Sequence, residues 1–462
     1  MKPTDLSKLD RDALVARIGE LEAIIKDLTA RVEELTRSGK RQAAPFSKGT
    51  PKEHPKKPDR KPGQGSLRRR VAPPPETLSE PPIEGTVAKP ACSGRGGELA
   101  FERFDDASIT DLPQRPRPQV RLYRVARHRC SDCGQTVRGR HPQLAADRQG
   151  TTAHRLGLRV LAVAHDLHSR LGVPVRKLPE LLRLLTGITV TQGAITRDAL
   201  GKAVGAIGTK YRQLCDSVRD SAYVHTDDTG WRQSGRPMWL TAFVTDTATV
   251  YQVRPRHRNE EVRERIPADY AGVMITDRAI VDDAAELAEI KQRKCLSHIL
   301  RSLSEVLKAK VKAARWFASK LKGLLKRSLG LWHERRAGPV VADFATRVEQ
   351  VKAEVTRHLR HRWLSDGDNQ RLLNGLGRCH DAGAPPRFLD DPRIEPTNNR
   401  AERSLRPAVI ARKVSQCTKT DRGTRAFEAW TSVLGTLWRA VSGPALLDAI
   451  VALVQPAVPQ PN

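Results

Sequence analysis

The chain has 462 residues, with 81 Lys plus Arg against 52 Asp plus Glu and a formal net charge of +29. That length exceeds what one hydrophobic core usually organises, so several domains are expected, and the charge excess points to a polyanion, above all nucleic acid, as the partner that neutralises it. A membrane role is disfavoured: "MKPTDLSKLDRD" has no apolar signal core, and "LLDAIVALV" reaches about half of the roughly 20 residues a spanning helix needs, so a cytoplasmic protein is expected.

The first predicted element is a helix. Leu14, Leu21, Leu28 and Leu35 recur every seven residues, with Ile18, Ile25 and Val32 between them. β-branched residues at one seam position and Leu at the other favour a two-stranded parallel coiled coil, so residues 1–36 are read as a homodimerising helix. An amphipathic helix packed on its own core is the alternative. Residues 37–90 have no apolar period; residues 37–70 alone carry twelve basic and two acidic side chains among repeated Pro and Gly. This reads as a disordered basic linker, in which Arg68, Arg69 and Arg70 are candidate phosphate contacts, followed by the proline-rich spacer "VAPPPETLSEPPIEG".

Residues 91–150 resemble a zinc ribbon with one flaw. Cys130 and Cys133 have the C-x2-C spacing of a knuckle, whereas Cys92 has Arg95 where its partner should stand. Zinc takes four tetrahedral ligands, so Cys92, Cys130 and Cys133 with His128 or an outside ligand form one reading, and a metal-free, degenerate ribbon the other. Seven cysteines in the whole chain are too sparse for a disulfide framework. Over residues 151–218 the pattern is helical. "PVRKLPELLRLLTGITVTQGAITRDALGKAV" reads as helix, turn at "TGITV", and a second helix from near Thr191, the spacing of a helix-turn-helix DNA reader or of a plain helical hairpin.

After Arg219 the period changes to 2. "SAYVHTDDTGW", "RPMWLTAFVTDTA" and "TVYQVRP" predict three strands, with Ser234-Gly235 as the first hairpin turn, then "NEEVRERI" a helix and "AGVMITDRAI" a fourth strand. That order opens a ribonuclease-H-like α/β domain. Phosphoryl transfer on DNA can be run by two Mg²⁺ ions held by a few carboxylates on neighbouring strand ends. Asp227 and Asp277 are placed to provide two of them; Asp228 falls on the opposite face by strand alternation. The third is assigned to Glu402 in "TNNRAERSLRPAVIARK", on a helix expected against the sheet edge. Its neighbours Arg400, Arg403, Arg406 and Lys413 are candidate DNA-phosphate ligands. Cys295 and His298 are read as packing residues, with half a zinc site as the alternative, and Trp239, Trp316, Trp332 and Trp430 as core.

At "HTDDTGWRQSGRPMWLTAFVT", "GVMITDRA", "RKCLSHILR" and "NNRAERSLRPAVIARK" the sequence resembles the DDE transposases of the insertion sequence 66 family. The order of basic segment, ribbon and helix-turn-helix fits as well, so the resemblance covers nearly the whole chain. It implies a multidomain α/β protein: a ribonuclease-H-like mixed sheet with an all-helical insertion, preceded by a coiled coil, a ribbon-like zinc-binding remnant and a helix-turn-helix region. Its catalytic core would comprise residues 219–300 and 395–445, interrupted by an insertion over 301–394 and followed by a tail over 446–462. The implied triad is Asp227, Asp277 and Glu402, loaded with two Mg²⁺. The implied activity is that of a bacterial, nucleoid-associated transposase, which binds terminal inverted repeats, hydrolyses 3′ ends and joins them to target DNA. Double-stranded DNA and a second copy of the chain are then its partners, with helper proteins of the same element a further class. The family often has an aromatic residue soon after the second acid, where this chain reads "TDRAIVDDAAEL". A catalytically inactive DNA-binding regulator and a structure-specific nuclease of the same fold are the rival functions.

Overall fold

A computed structural model describes residues 11–39, 94–97, 118–138, 156–277, 289–339, 341–360, 363–381, 387–415, 417–441 and 443–455, with residues 74, 76, 81, 101, 102, 104 and 287. The chain separates into two compact units, one of residues 1–45 and 120–462 and one of residues 46–119. In the smaller unit, a turn at 94–97 uses Gly96 at a φ of 68°, and the rings of Phe101 and Phe104 lie 4.9 Å apart. Arg68, Arg69, Arg70 and Cys92 lie outside the described residues.

Helix α1 (Arg11–Gly39) covers the heptad segment. Ile18, Leu21, Ile25, Leu28 and Val32 are between 43% and 62% exposed on it, so this stripe is not used by a core of the same chain. The Cys130 and Cys133 pair sits on the turn between β1 (Arg127–Arg129) and β2 (Thr136–Arg138), an antiparallel pair closed by Gly134 at a φ of 70°. Backbone amides of Cys133 and Asp132 bond the Cys130 sulfur and lower its pKa.

Four helices follow: α2 (Leu158–Ser169), α3 (Leu178–Thr186), α4 (Gln192–Val204) and α5 (Ala206–Arg219). The expected helix, turn and helix are present as local geometry. α3 stops at Gly187, whose φ of 71° suits glycine alone among common residues, and α4 starts where the Thr191 hydroxyl accepts from the Ala194 amide at 3.2 Å.

The strands β3 (Tyr223–Gln233), β4 (Arg236–Val244), β5 (Thr249–Arg254), β6 (Val273–Thr276) and β7 (Lys291–Lys294) form one mixed sheet, with α6 (Asn259–Arg263) between β5 and β6. Their order is β5-β4-β3-β6-β7; β3, β4 and β5 form an antiparallel meander, while β6 and β7 run parallel to β3. The hairpin between β3 and β4 turns on Ser234 and Gly235, both with positive φ, the twist such a two-residue turn requires. Beyond β7 come the helices α7 (Leu296–Ala309), α8 (Trp316–Ala337), α9 (Phe344–Leu359), α10 (Gly367–Asp381), α11 (Asn399–Ser415), α12 (Asp421–Ala440) and α13 (Pro444–Val454).

Alternation along the strands divides the core. Val224, Phe243, Val250 and Met274 point to the face packed by α5, α12 and α13, while Ala242, Val244, Tyr251 and Val253 meet α11 through Ala401, Leu405 and Ala408. Tyr223 and Ile275, of the same parity as the second set, continue into the core of α7 to α10. Residues read from the sequence as a tail from 446 are instead mostly helix: Leu446, Ile450 and Val454, spaced by four, are buried. The tryptophans divide as well. Trp332 and Trp430 are core, Trp316 is 56% exposed, and Trp239 is half-buried. Trp231 is the core tryptophan that the sequence reading left out. Among the described residues, no helix is long and apolar enough to cross a membrane.

Trp430 ties the early helices to the sheet's cover. Its ring is 4.2 Å from that of His165 on α2, and its indole N–H donates to the Ala199 carbonyl on α4 at 3.0 Å. Trp430→Ala is therefore expected to cost about 3–5 kcal/mol in chemical denaturation. A cost below about 1 kcal/mol would show that this joint carries little of the fold.

Candidate active site

Tyr223, Val224 and His225 of β3 lie opposite Val273, Met274 and Ile275 of β6. Extending that parallel register by two residues sets Asp227 beside Asp277, immediately past the end of β6. Both are odd-numbered, as are Tyr223 and Ile275, so the pleat turns them to the side of the sheet that α11 covers. The helix does not lie at the sheet edge, as expected from sequence. It crosses the face over β3 and β4, because its small residues Ala401 and Ala408 allow close approach to Leu240 and Ala242. Glu402 follows Ala401 in this contact. Carboxylate oxygens of Asp277 and Glu402 come within 4.8 Å of each other and of the Cys295 sulfur and a His298 ring nitrogen.

Asn398, fully buried, fixes this geometry. Its side-chain amide donates to the Thr226 carbonyl at 2.6 Å and to Asp277 Oδ1 at 3.3 Å. Its own oxygen lies 3.2 Å from His225 Nδ1, and its backbone amide donates to the Cys295 sulfur at 3.2 Å. The Asn398 carbonyl accepts from the Glu402 amide at 3.2 Å, opening the first turn of α11. One residue thus touches β3, the residue after β6, the start of α7 and the helix carrying Glu402. Burial pushes the His225 pKa down to about 4, so this imidazole is neutral and presents Nδ1–H to Asn398. The sequence reading used neither Asn398 nor His225 in the site; only the density of polar residues around them was a signal.

The charges of the acids are poorly compensated. Among the described residues, their only ion-pair partner is His298, with Nδ1 3.2 Å from Asp277 Oδ1. Asp227 is raised from near 3.8 to about 8, first by burial, then by the charge of Asp277, with smaller contributions from Asp228 and Glu402. Perturbation of this kind is common where carboxylates await a cation. Three acids with oxygen ligands and no lysine or arginine ion-paired to them suit a hard divalent ion such as Mg²⁺.

Asp227 and Asp277 open into a cleft of about 240 Å³ whose far wall contains Asp228, Arg256, His257 and Arg258. Asp228, of opposite parity to Asp227, pairs with His257 Nε2 at 2.9 Å, and Trp239 stacks on the His257 ring at 4.3 Å. Arg256 and Arg258 were missed from sequence, although the basic run "RPRHR" was visible. Of the arginines that were singled out, Arg400 is committed within the protein: its guanidinium binds Asp246 at 2.6 Å and Glu395 at 2.7 Å. Arg403, Arg406 and Lys413 share the exposed face of α11. Cys295 and His298, set aside as packing residues, stand at the acids.

The family model "Transposase IS66 family" matches residues 154–426, a span that includes all three acids and α11. No curated protein matches the chain.

The raised pKa of Asp227 has a sign. Folding strengthens proton binding there, so the metal-free protein loses stability as pH rises from about 4 through about 8. Asp227→Asn is expected to stabilise the metal-free protein by roughly several kcal/mol at pH 8, with no gain at pH 4. Mg²⁺ affinity of the unaltered protein, followed by calorimetry, should rise about tenfold per pH unit up to about 8 and then level. An affinity independent of pH between 6 and 8 would contradict the assignment.

Proposed function

The chain belongs to the IS66 transposase family, and on that premise we propose that it is a DNA transposase with a ribonuclease-H-like core, cutting and joining DNA at Asp227, Asp277 and Glu402. The observation that carries this reading is that Asp277 and Glu402 bring carboxylate oxygens within 4.8 Å of each other, and that their charges reach the buried Asp227 and help raise its pKa. The strand order, with an antiparallel meander beside two parallel strands, supports the core assignment. These three residues would hold two Mg²⁺, whose chemistry there is activation of the attacking water or 3′-hydroxyl and neutralisation of charge on the phosphate. Asn398 keeps the carboxylates in register. Arg256 and Arg258 on the cleft wall, and Arg403, Arg406 and Lys413 on the outer face of α11, orient phosphates of the bound DNA. Arg400 serves instead as a brace between α11, Asp246 and Glu395.

The substrate is double-stranded DNA carrying the element's inverted repeats. The helices α3 and α4 read those ends, and the basic segment with Arg68, Arg69 and Arg70 adds phosphate contacts. The turn bearing Cys130 and Cys133 supplies two thiols at knuckle spacing, with amide-to-sulfur bonds that favour a thiolate, and is proposed as half of a Zn²⁺ site. The exposed stripe of α1 pairs with that of a second copy, since burying five large apolar side chains on each helix gives the coiled coil its driving force.

Glu402→Gln and Asp227→Asn proteins that still bind end DNA should each lose 3′-end cleavage and strand transfer by on the order of a thousandfold, reflecting several kcal/mol of lost metal-assisted stabilisation. Wild-type rates in either variant would remove that residue from the triad, and cleavage without joining on a supercoiled target would identify a nuclease instead. Separately, Leu21→Glu with Leu28→Glu should yield a monomer by light scattering; a dimer that persists would assign self-association to another surface.

A further inference from the structure

Cys295 and His298 are three residues apart at the start of α7, where the first turn brings both side chains toward Asp277. The Cys295 sulfur is fully buried and touches the Asn398 amide. His298 is placed more unusually. Its Nδ1 is shielded from solvent and lies 3.2 Å from Asp277 Oδ1, yet it makes no hydrogen bond. Buried polar atoms nearly always have a hydrogen-bond partner, so a ring nitrogen that meets the Asp277 carboxylate without hydrogen-bonding it, in a ring that stands beside a thiol and two carboxylates, is placed as a metal ligand.

We propose that Asp277, Cys295, His298 and Glu402 together form a mixed sulfur, nitrogen and oxygen site for a borderline divalent ion of the zinc and cobalt class, distinct in ligand type from the all-oxygen arrangement that suits Mg²⁺. The four ligand atoms already lie within 4.8 Å of one another. A tetrahedral zinc site with bonds of about 2.0–2.3 Å has ligand atoms about 3.3–3.8 Å apart, a contraction that side-chain rotation can supply. A thiolate and an imidazole favour zinc or cobalt over magnesium, which prefers oxygen and retains its water. Binding releases the Cys295 thiol proton to solvent, and the sulfur then bonds the metal as thiolate. The proposal rests on the active-site reading above for the role of the two acids it borrows: an ion held here occupies Asp277 and Glu402 and leaves Asp227 outside its ligand set.

Cobalt provides the test, since thiolate bonded to Co²⁺ absorbs in the near ultraviolet by charge transfer. The full chain is titrated with Co²⁺ in a Cys130→Ser, Cys133→Ser background, so that the β1–β2 turn contributes no thiolate. One equivalent should give the absorption, and it should persist in a thousandfold excess of Mg²⁺ and in Asp227→Asn. Cys295→Ser should abolish it, and His298→Ala should weaken Co²⁺ binding at least tenfold. If Cys295→Ser does not fold, as judged by circular dichroism, His298→Ala decides, because that side chain is a quarter exposed. No thiolate absorption in the background protein, or absorption unchanged in Cys295→Ser or His298→Ala, overturns the proposal. Mg²⁺-supported DNA cleavage is assayed separately without cobalt. Its absence would end the transposase reading and leave the mixed site standing.

Discussion

A single buried amide organises this molecule's chemistry. Asn398 bonds to β3 through Thr226, to the loop after β6 through Asp277, and to the start of α7 through Cys295, and its carbonyl opens α11. Each of those groups would otherwise need another hydrogen-bond partner away from water, at a cost of roughly 1–3 kcal/mol apiece if left unpaired. The neutral imidazole of His225 completes the arrangement by occupying the Asn398 oxygen. Elements separated by more than a hundred residues are thereby held to a common geometry by two neutral side chains, Asn398 and His225. That neutrality matters, because a buried cation at the same place would pair with the acids and compensate their charge.

The acids themselves oppose folding. Asp227 sits in a buried position beside Asp277, with Asp228 and Glu402 nearby, and its carboxyl is held near pKa 8. The packing of α11 on β3 and β4, and of α12 on the opposite face, supplies the apolar burial that offsets this repulsion. Stability is thus lower locally, where the candidate site concentrates uncompensated charge. The arginines flanking Glu402 are sorted by helical phase. Arg403 and Arg406 point to solvent, while Arg400 turns back to Asp246 and Glu395. A stretch that looks uniformly basic therefore performs two tasks: bracing the helix against the sheet and presenting cations outward.

Much was legible in the sequence. Period-2 patterning gave β3, β4, β5 and β6 in order, Ser234-Gly235 gave their first turn, heptads gave α1, and the return of the helical pattern near Thr191 gave the start of α4. Each is a local property, set within a few residues by alternation, backbone strain or capping. Asp277 was readable because it ends a strand pattern; Asp227, read as ending one too, lies instead inside β3, which continues to Gln233 through its hairpin with β4. The position of α11 on the sheet face was not readable, since it depends on which small residues meet across two elements far apart in the chain. The same limit applies to Trp239 and Trp316, whose bulk suggested core but whose neighbours leave them partly exposed.

Sequence by itself determined which residue types were available: a basic chain, a mixed α/β pattern and a small set of acids on predictable elements. Tertiary structure alone decided that Asn398 would be the joint, that Arg400 would be spent internally, and that Cys295 and His298 would stand beside Asp277 and Glu402. The physical reason is that periodicity records which way a side chain faces along its own strand or helix. What it meets there is fixed by the packing of other elements, and in this protein the candidate site lies in those meetings.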